Sequence, residues 1–183
     1  MKRQVKKFSQ FIRESKEGFK ARSERARLSQ DPVELDRFSR DKSYQVLIEV
    51  AQNPWTPPEA LLRIISTTWG FAADLAIKNP NCPEEALWYA ADSNSYSTKL
   101  ELAQLRTCPI EILIYMLKKG DVPGIMRELK NSIHRYMDEH PEYENEELEG
   151  IMTMMDLGFK FPEVDRKGVI HPGEDLDLDD LDI

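Results

Sequence analysis

The sequence has 183 residues, 40% of them apolar and 32% charged. That is the length of one domain with tails; 8 Gly and 11 Pro are too few for a fibrous chain, the longest apolar run (112–117) is far short of the ~18 residues of a membrane span, and 2 cysteines make neither a disulfide framework nor a zinc site. The net charge of −8 is unevenly laid out: residues 1–28 hold ten Lys/Arg against three Asp/Glu (net +7), residues 29–136 twelve against fourteen (−2), and residues 137–183 three against sixteen (−13). Such asymmetry marks interaction segments or simply solvated ends. The N-terminus has no continuous apolar stretch and reads as no secretory signal, so a reducing, intracellular compartment is expected.

The first predicted element lies in residues 1–20. Val5, Phe8, Ile12 and Phe19 follow a/d-like spacing with Phe11 beside them, among six Lys/Arg within residues 1–17. This is the pattern of a basic amphipathic helix. It suits three partners: the chain's own repeat end, an anionic surface, or another protein's groove. The run Lys7-Phe8-Ser9-Gln10-Phe11-Ile12-Arg13-Glu14 resembles the capsid-targeting sequence of internal head proteins from large T-even-type phages, which open with Met-Lys and then aromatic-x-x-Phe-Ile-x-Glu. The resemblance covers about fourteen residues. It implies recognition through Phe8, Phe11 and Ile12, and cleavage by a prohead protease after Glu14.

The body of the chain repeats. Asn53-Pro54-Trp55-Thr56-Pro57-Pro58-Glu59-Ala60-Leu61 is followed by Asn79-Pro80-Asn81-Cys82-Pro83-Glu84-Glu85-Ala86-Leu87, then by a worn copy, Thr107-Cys108-Pro109-Ile110-Glu111-Ile112-Leu113. Pro57, Pro83 and Pro109 share a 26-residue spacing, as do Glu59, Glu85 and Glu111, and Leu61, Leu87 and Leu113. A fainter copy at Asp31-Pro32-Val33-Glu34-Leu35 reads one residue out of step. Asn-Pro ends a helix. Thr56, Cys82 and Cys108 are expected at N-caps with Pro at the first helical position and Glu at the third, completing a capping box at Thr56. The expected apolar faces are Leu61, Leu62 and Ile65; Leu87, Trp88 and Ala91; and Leu113, Ile114 and Leu117. Second helices are expected near Trp69–Lys78, Ser95–Gln104 and Val122–His134. A period of this length with two helices per unit implies an α-solenoid. The phrase Asn-Pro-x-Thr/Cys-Pro-x-Glu-Ala-Leu resembles the bacterial variant leucine-rich repeats, short HEAT-like helical pairs, over about residues 44–130. Some of that family carry an iron–sulfur cluster on a cysteine-rich segment; this sequence has none, so no cofactor is carried over.

Beyond the repeats, Asn145–Leu157 reads as a capping helix with Leu148, Ile151, Met152 and Met155 on one face, and residues 160–183 read as a disordered acidic tail. Its Asp175-x-Asp177-x-Asp179 lacks the turn Gly and closing Glu of a calcium loop. Asp alternating with Leu there is closer to an acidic docking peptide.

Chemistry is scarce. There is no phosphate loop and no nucleophile elbow. His134 and His140 are six apart, on different helix faces. Cys82 and Cys108 fall in equivalent repeat positions, roughly 10 Å apart in a stack, too far for a disulfide; a thiol at a helix N-terminus can be acidified. Aromatic residues dominate binding hot spots. Trp55, Trp69 and Trp88 lie in the repeats, and Arg63, Tyr89 and Tyr115 share one repeat position. They suit either a ladder of partner contacts or ordinary packing between repeats.

The expectation is an all-α protein: a short right-handed α-solenoid of 26-residue helix-turn-helix repeats over 31–157, a basic targeting or docking segment over 1–28, and the acidic tail. Functionally it is expected to be a non-enzymatic phage protein, a repeat scaffold that binds another phage or host protein. Its expected location is the virion interior or the host cytoplasm, with no cofactor, metal, small-molecule substrate or membrane, and direct nucleic-acid binding is disfavoured by the net charge. The alternative is a cytosolic adaptor or inhibitor whose acidic tail docks or mimics a nucleic-acid partner.

Overall fold

The computed structural model describes residues 18–120, 123–141, 149–150 and 152–153. Among these, every regular element is helical: α1 (Phe19–Leu28), α2 (Pro32–Phe38), α3 (Tyr44–Gln52), α4 (Pro58–Thr67), α5 (Phe71–Ile77), α6 (Glu84–Asp92), α7 (Tyr96–Gln104), α8 (Ile110–Lys119), a 3-10 turn (Pro123–Ile125) and α9 (Met126–Glu139). Two compact units divide between Tyr89 and Ala90, and α6 runs through the division. Residues 1–17, most of 145–157 and the tail 160–183, on which several expectations fall, lie outside the described residues.

The repeat is visible in the backbone. Thr56, Cys82 and Cys108 each close a turn by donating N–H to the carbonyl three residues back, at Asn53 (3.0 Å), Asn79 (2.9 Å) and Leu105 (3.1 Å). Next, Ala60, Ala86 and Ile112 donate to the carbonyls of Pro57, Pro83 and Pro109. The N-cap lies one residue later than the sequence suggests. Pro57 caps α4 in an extended conformation and Pro109 caps α8, so Glu59 and Glu111 are second, not third, helical residues. No capping box forms at Thr56, because its hydroxyl turns back and donates to the Val50 carbonyl at 2.5 Å. At the faint first copy, Asp31 is a true side-chain cap, accepting from the Val33 amide at 3.0 Å, with Pro32 at the first helical position. Pro32 and Leu35 thus stand 26 residues before Pro58 and Leu61, and this copy is in step after all.

The buried faces are also shifted. Ala60, Leu61, Ile64 and Ile65 are buried on α4, and the same register holds on α6 (Ala86, Leu87, Ala90, Ala91) and α8 (Ile112, Leu113, Met116, Leu117). Leu62, Trp88 and Ile114, expected inside, are only half-buried. Alanines take the inward positions, and small residues there let neighbouring backbones approach closely.

The second helices keep their own register: Val46, Leu47, Val50 and Ala51 on α3, Ala72, Ala73, Ala76 and Ile77 on α5, and Thr98, Lys99, Leu102 and Ala103 on α7 are buried. Two start later than expected. Gly70 delays α5 by standing at φ 74°, ψ −146°, a region essentially reserved for glycine. The 3-10 turn Pro123–Ile125 precedes α9. α8 ends at Gly120, left-handed at φ 58°, ψ 13°, whose N–H closes onto the Met116 carbonyl.

In the first unit α3 packs between α1 and α5, and α4 lies against α5. In the second unit α9 packs on α7 and α8. Leu61, Ile64 and Val46 in the first unit, and Leu102, Ile112, Leu117, Leu129 and Ile133 in the second, are wholly enclosed. Each contributes about 2 kcal/mol by removal from water.

Asparagine joins successive repeats of the first unit. Asn53 donates its side-chain amide to the carbonyls of Ala26 (2.8 Å), Ser29 (2.8 Å) and Arg27 (3.3 Å) and accepts from the Trp55 amide at 2.8 Å. Twenty-six residues on, Asn79 donates to the carbonyls of Ala51 and Asn53, both at 2.9 Å, and accepts from the Asn81 amide at 3.0 Å. A helix leaves its last carbonyls without intrahelical partners. Each asparagine therefore satisfies the end of the preceding second helix while shaping the turn into the next first helix.

Candidate functional site

Of the residues singled out by the sequence, Phe8, Phe11, Ile12 and Glu14 lie outside the described residues. Arg63, on α4, is half-buried and reaches α2 and the turn after it: its guanidinium donates to Asp36 at 2.7 Å and to the buried Ser39 hydroxyl at 2.5 Å. Burial opposes the charge on Asp36, but Arg40 and Arg63 together hold its carboxyl below the ordinary value. Tyr89, on α6, is exposed. Tyr115, on α8, is buried and donates its hydroxyl to Asp92 at 2.5 Å; Lys119 reaches the same oxygen at 3.1 Å. Burial, then the Asp92 carboxylate, raise the Tyr115 phenol. Arg63 and Tyr115 thus hold neighbouring segments within their own units, and Tyr89 offers its ring to solvent.

The cysteines are not helix caps. Cys82 is half-buried and burial pushes its thiol up to about 12, the opposite of activation by a helix terminus. Cys108 is buried, its Sγ 3.7 Å from the Pro109 carbonyl. The His134 ring nitrogen Nδ1 lies 2.8 Å from the Lys130 carbonyl, and His140 lies against Tyr136 with ring centroids 4.4 Å apart. Among the described residues, no three His, Cys, Asp or Glu side chains stand where they could hold a metal ion, and no helix is long and apolar enough to cross a membrane. Of the predicted capping helix, Met152 is buried, and its carbonyl receives the Lys130 ammonium at 3.2 Å.

A different set of side chains forms the most distinctive exposed surface. The first residue of four of the second helices, α1, α3, α5 and α7, is aromatic and open to solvent: Phe19, Tyr44, Phe71 and Tyr96, between 44% and 58% exposed; α9 begins instead with Met126. In the first unit Trp69 joins them at 64%. The Tyr44 hydroxyl donates to the Trp69 carbonyl at 3.2 Å and accepts the Ala72 amide at 3.0 Å, which binds the start of α3 to the turn carrying Trp69 and Phe71. Phe19 comes one helical turn before Arg22, whose guanidinium is paired with Asp41 at 2.6 Å. Asp41 also accepts the Ser43 amide, next to Tyr44, at 2.8 Å. Phe19, Tyr44, Trp69 and Phe71 are therefore gathered at one end of the first unit. In the second unit Tyr96 repeats the arrangement, its hydroxyl donating to the Gly124 carbonyl at 3.4 Å with its ring 3.0 Å from where a Cβ on Gly124 would stand.

Charge around the first-unit strip is positive. Lys20 and Lys42 are exposed beside it, Arg22 and Arg40 lie close by, and the turn 66–71 contains no acid. Of the carboxylates at this end, Asp41 is tied to Arg22, where burial opposes its charge but Arg22 and the Ser43 amide hold it below the ordinary value, and Asp74, one helical turn after Phe71, is buried. Sequence reading missed this strip because it aligned the first helices, where the prolines are. The signal was an aromatic residue every 25 to 27 positions, at 19, 44, 71 and 96.

Comparison with family models, curated proteins and solved structures returned no match.

Proposed function

We propose that this chain is a non-enzymatic, protein-binding scaffold of short α-solenoid repeats belonging to a phage, with residues 1–14 as a removable address to the capsid interior. The observation that carries the binding role is the strip of exposed aromatic side chains on helices whose backbone ends are held in register by Asn53 and Asn79. Solvent-exposed aromatics grouped on a fixed frame lose little entropy on contact with a partner. The run from Lys7 to Glu14 supports the address, with Phe8, Phe11 and Ile12 read by the packaging machinery and Glu14 preceding the cut. The scaffold then acts in the virion interior or on a host protein in the cytoplasm.

Two measurements test the two halves. Mass spectrometry of the N-terminal peptide from phage particles is expected to find Ser15 first; a chain beginning at Met1 or Lys2 overturns the address. Lysine cross-linking of the full chain in infected cells is expected to join it to one recurrent protein; its recovery only as uncross-linked chain overturns the scaffold.

A further inference from the structure

We propose that the strip formed by Phe19, Tyr44, Trp69 and Phe71 is the docking site for an acidic peptide segment carrying apolar side chains at intervals. This rests on the protein-binding reading and names the partner's chemistry. Two observations select that chemistry. The first is the aromatic surface itself: Trp69 and Phe71 are 64% and 58% exposed although they flank a glycine turn that hydrogen bonds hold in place. Fixed aromatic rings in water favour apolar side chains. The second is charge. Lys20 and Lys42 border the strip, Asp41 is tied to Arg22 and Asp36 to Arg40 and Arg63, Asp74 in the first turn of α5 is buried, and no acid lies in the turn 66–71. This is a local positive field in a chain of net charge −8, so it attracts an anionic partner and repels a cationic one. Asp31, Glu59, Glu84 and Glu85, at the starts of the first helices, stand at the opposite ends of their helical pairs, and Asp36 near the other end is held by Arg40 and Arg63. An acidic ligand is thus directed to the aromatic end.

The test uses the full chain and a fluorescein-labelled decapeptide of alternating Asp and Leu, followed by fluorescence anisotropy. Saturable binding is expected, weakening as salt is raised from low to about 0.5 M because the lysine contribution is screened. Trp69→Ser and Phe71→Ser are each expected to weaken binding at least about tenfold. Both side chains are largely exposed and the Tyr44 bonds run to backbone atoms, so these variants retain the fold. The double variant Lys20→Glu with Lys42→Glu is expected to weaken binding and flatten its salt dependence. Trp55→Ser is expected to leave binding unchanged: Trp55 follows the far end of α3, about 13 Å along the helix from Tyr44. Equal binding by wild type and Trp69→Ser/Phe71→Ser, or equal binding of a Lys–Leu decapeptide, overturns the proposal. The scaffold reading is tested apart from it: if the Trp69→Ser/Phe71→Ser chain still cross-links to the same protein in cells, the strip is excluded as the docking site and the scaffold stands.

Discussion

Replacing Asn79 by alanine tests whether side-chain amides hold successive repeats together. Asn79 is 7% exposed and makes three hydrogen bonds, two from its amide nitrogen to the carbonyls of Ala51 and Asn53 and one from the Asn81 amide to its oxygen. Alanine removes all three and leaves Ala51, at the end of α3, with a buried carbonyl and no replacement donor. A net loss of about 1 kcal/mol per bond places the cost at about 3 kcal/mol, as a lower bound because the enclosed carbonyl adds its own penalty. With a urea m-value of about 2 kcal/mol/M, the midpoint falls by at least about 1.5 M. All three tryptophans, at 55, 69 and 88, lie in the first unit, so their fluorescence in urea titration follows that unit. Asn53→Ala is expected to cost a similar amount, since it removes the corresponding bonds to the end of α1. Asn81→Ala is the comparison: its amide bonds the carbonyls of Pro54 and Thr56 from an exposed position, and a cost below about 1 kcal/mol is expected. If Asn79→Ala and Asn81→Ala unfold together within 0.3 M urea (about 0.6 kcal/mol at this m-value), the asparagines do not couple the repeats.

Three further outcomes follow from the same geometry. Asp41 is held below its ordinary value of 3.8, so its ion pair stabilises the fold above about pH 4 and that stabilisation is lost as pH falls through the folded value; the urea midpoint of wild type should exceed that of Asp41→Asn at pH 6, with the gap narrowing as pH is lowered below 3.8, and a gap that stays constant down to acid unfolding contradicts the pairing. Cys82, at about 12, presents less than about one part in a thousand as thiolate at pH 8, so iodoacetamide should modify it in the native chain far more slowly than after unfolding in urea; labelling at the rate of a free thiol contradicts its burial. Gly70→Ala meets only ordinary contact, with Tyr44 Oη 3.7 Å from the new Cβ, yet it forces alanine to φ 74°, ψ −146° and should cost about 1–3 kcal/mol in urea titration; an unchanged midpoint means the turn can relax to another conformation.

The aromatic strip, Asn79 and Thr56 show what could be read from the chain and what could not. Asn-Pro reads correctly as a helix stop, because the residue before proline is excluded from the helical region whatever surrounds it. That Asn79 also bonds a carbonyl 28 residues earlier is invisible in the sequence: the partner is a backbone atom, present whatever residue occupies position 51. Thr56 misleads for a related reason. Ser or Thr ahead of proline and glutamate is a capping signature, but its hydroxyl donates instead to the Val50 carbonyl at the end of the preceding helix, beside the Asn53 amide. Local rules predict local bonds, and here the helices are so short that their ends compete for the same side chains. The inward face differs from the one expected of the large apolar residues: Ala60, Ala86 and Ala90 are fully buried, while Leu62, Trp88 and Ile114 are only half-buried. Arg63 and Tyr115 share a repeat position, but periodicity alone does not decide whether such a position faces water: Arg63 turns to Asp36 and Tyr115 to Asp92. Phe19, Tyr44, Phe71 and Tyr96 each begin a helix and stay exposed there, although the next turn bonds the Tyr44 hydroxyl and lies against the Tyr96 ring. In a chain of short helices, the helix ends are where both unpaired backbone groups and uncovered side chains collect; asparagine takes up the first, and the aromatic strip is what remains of the second.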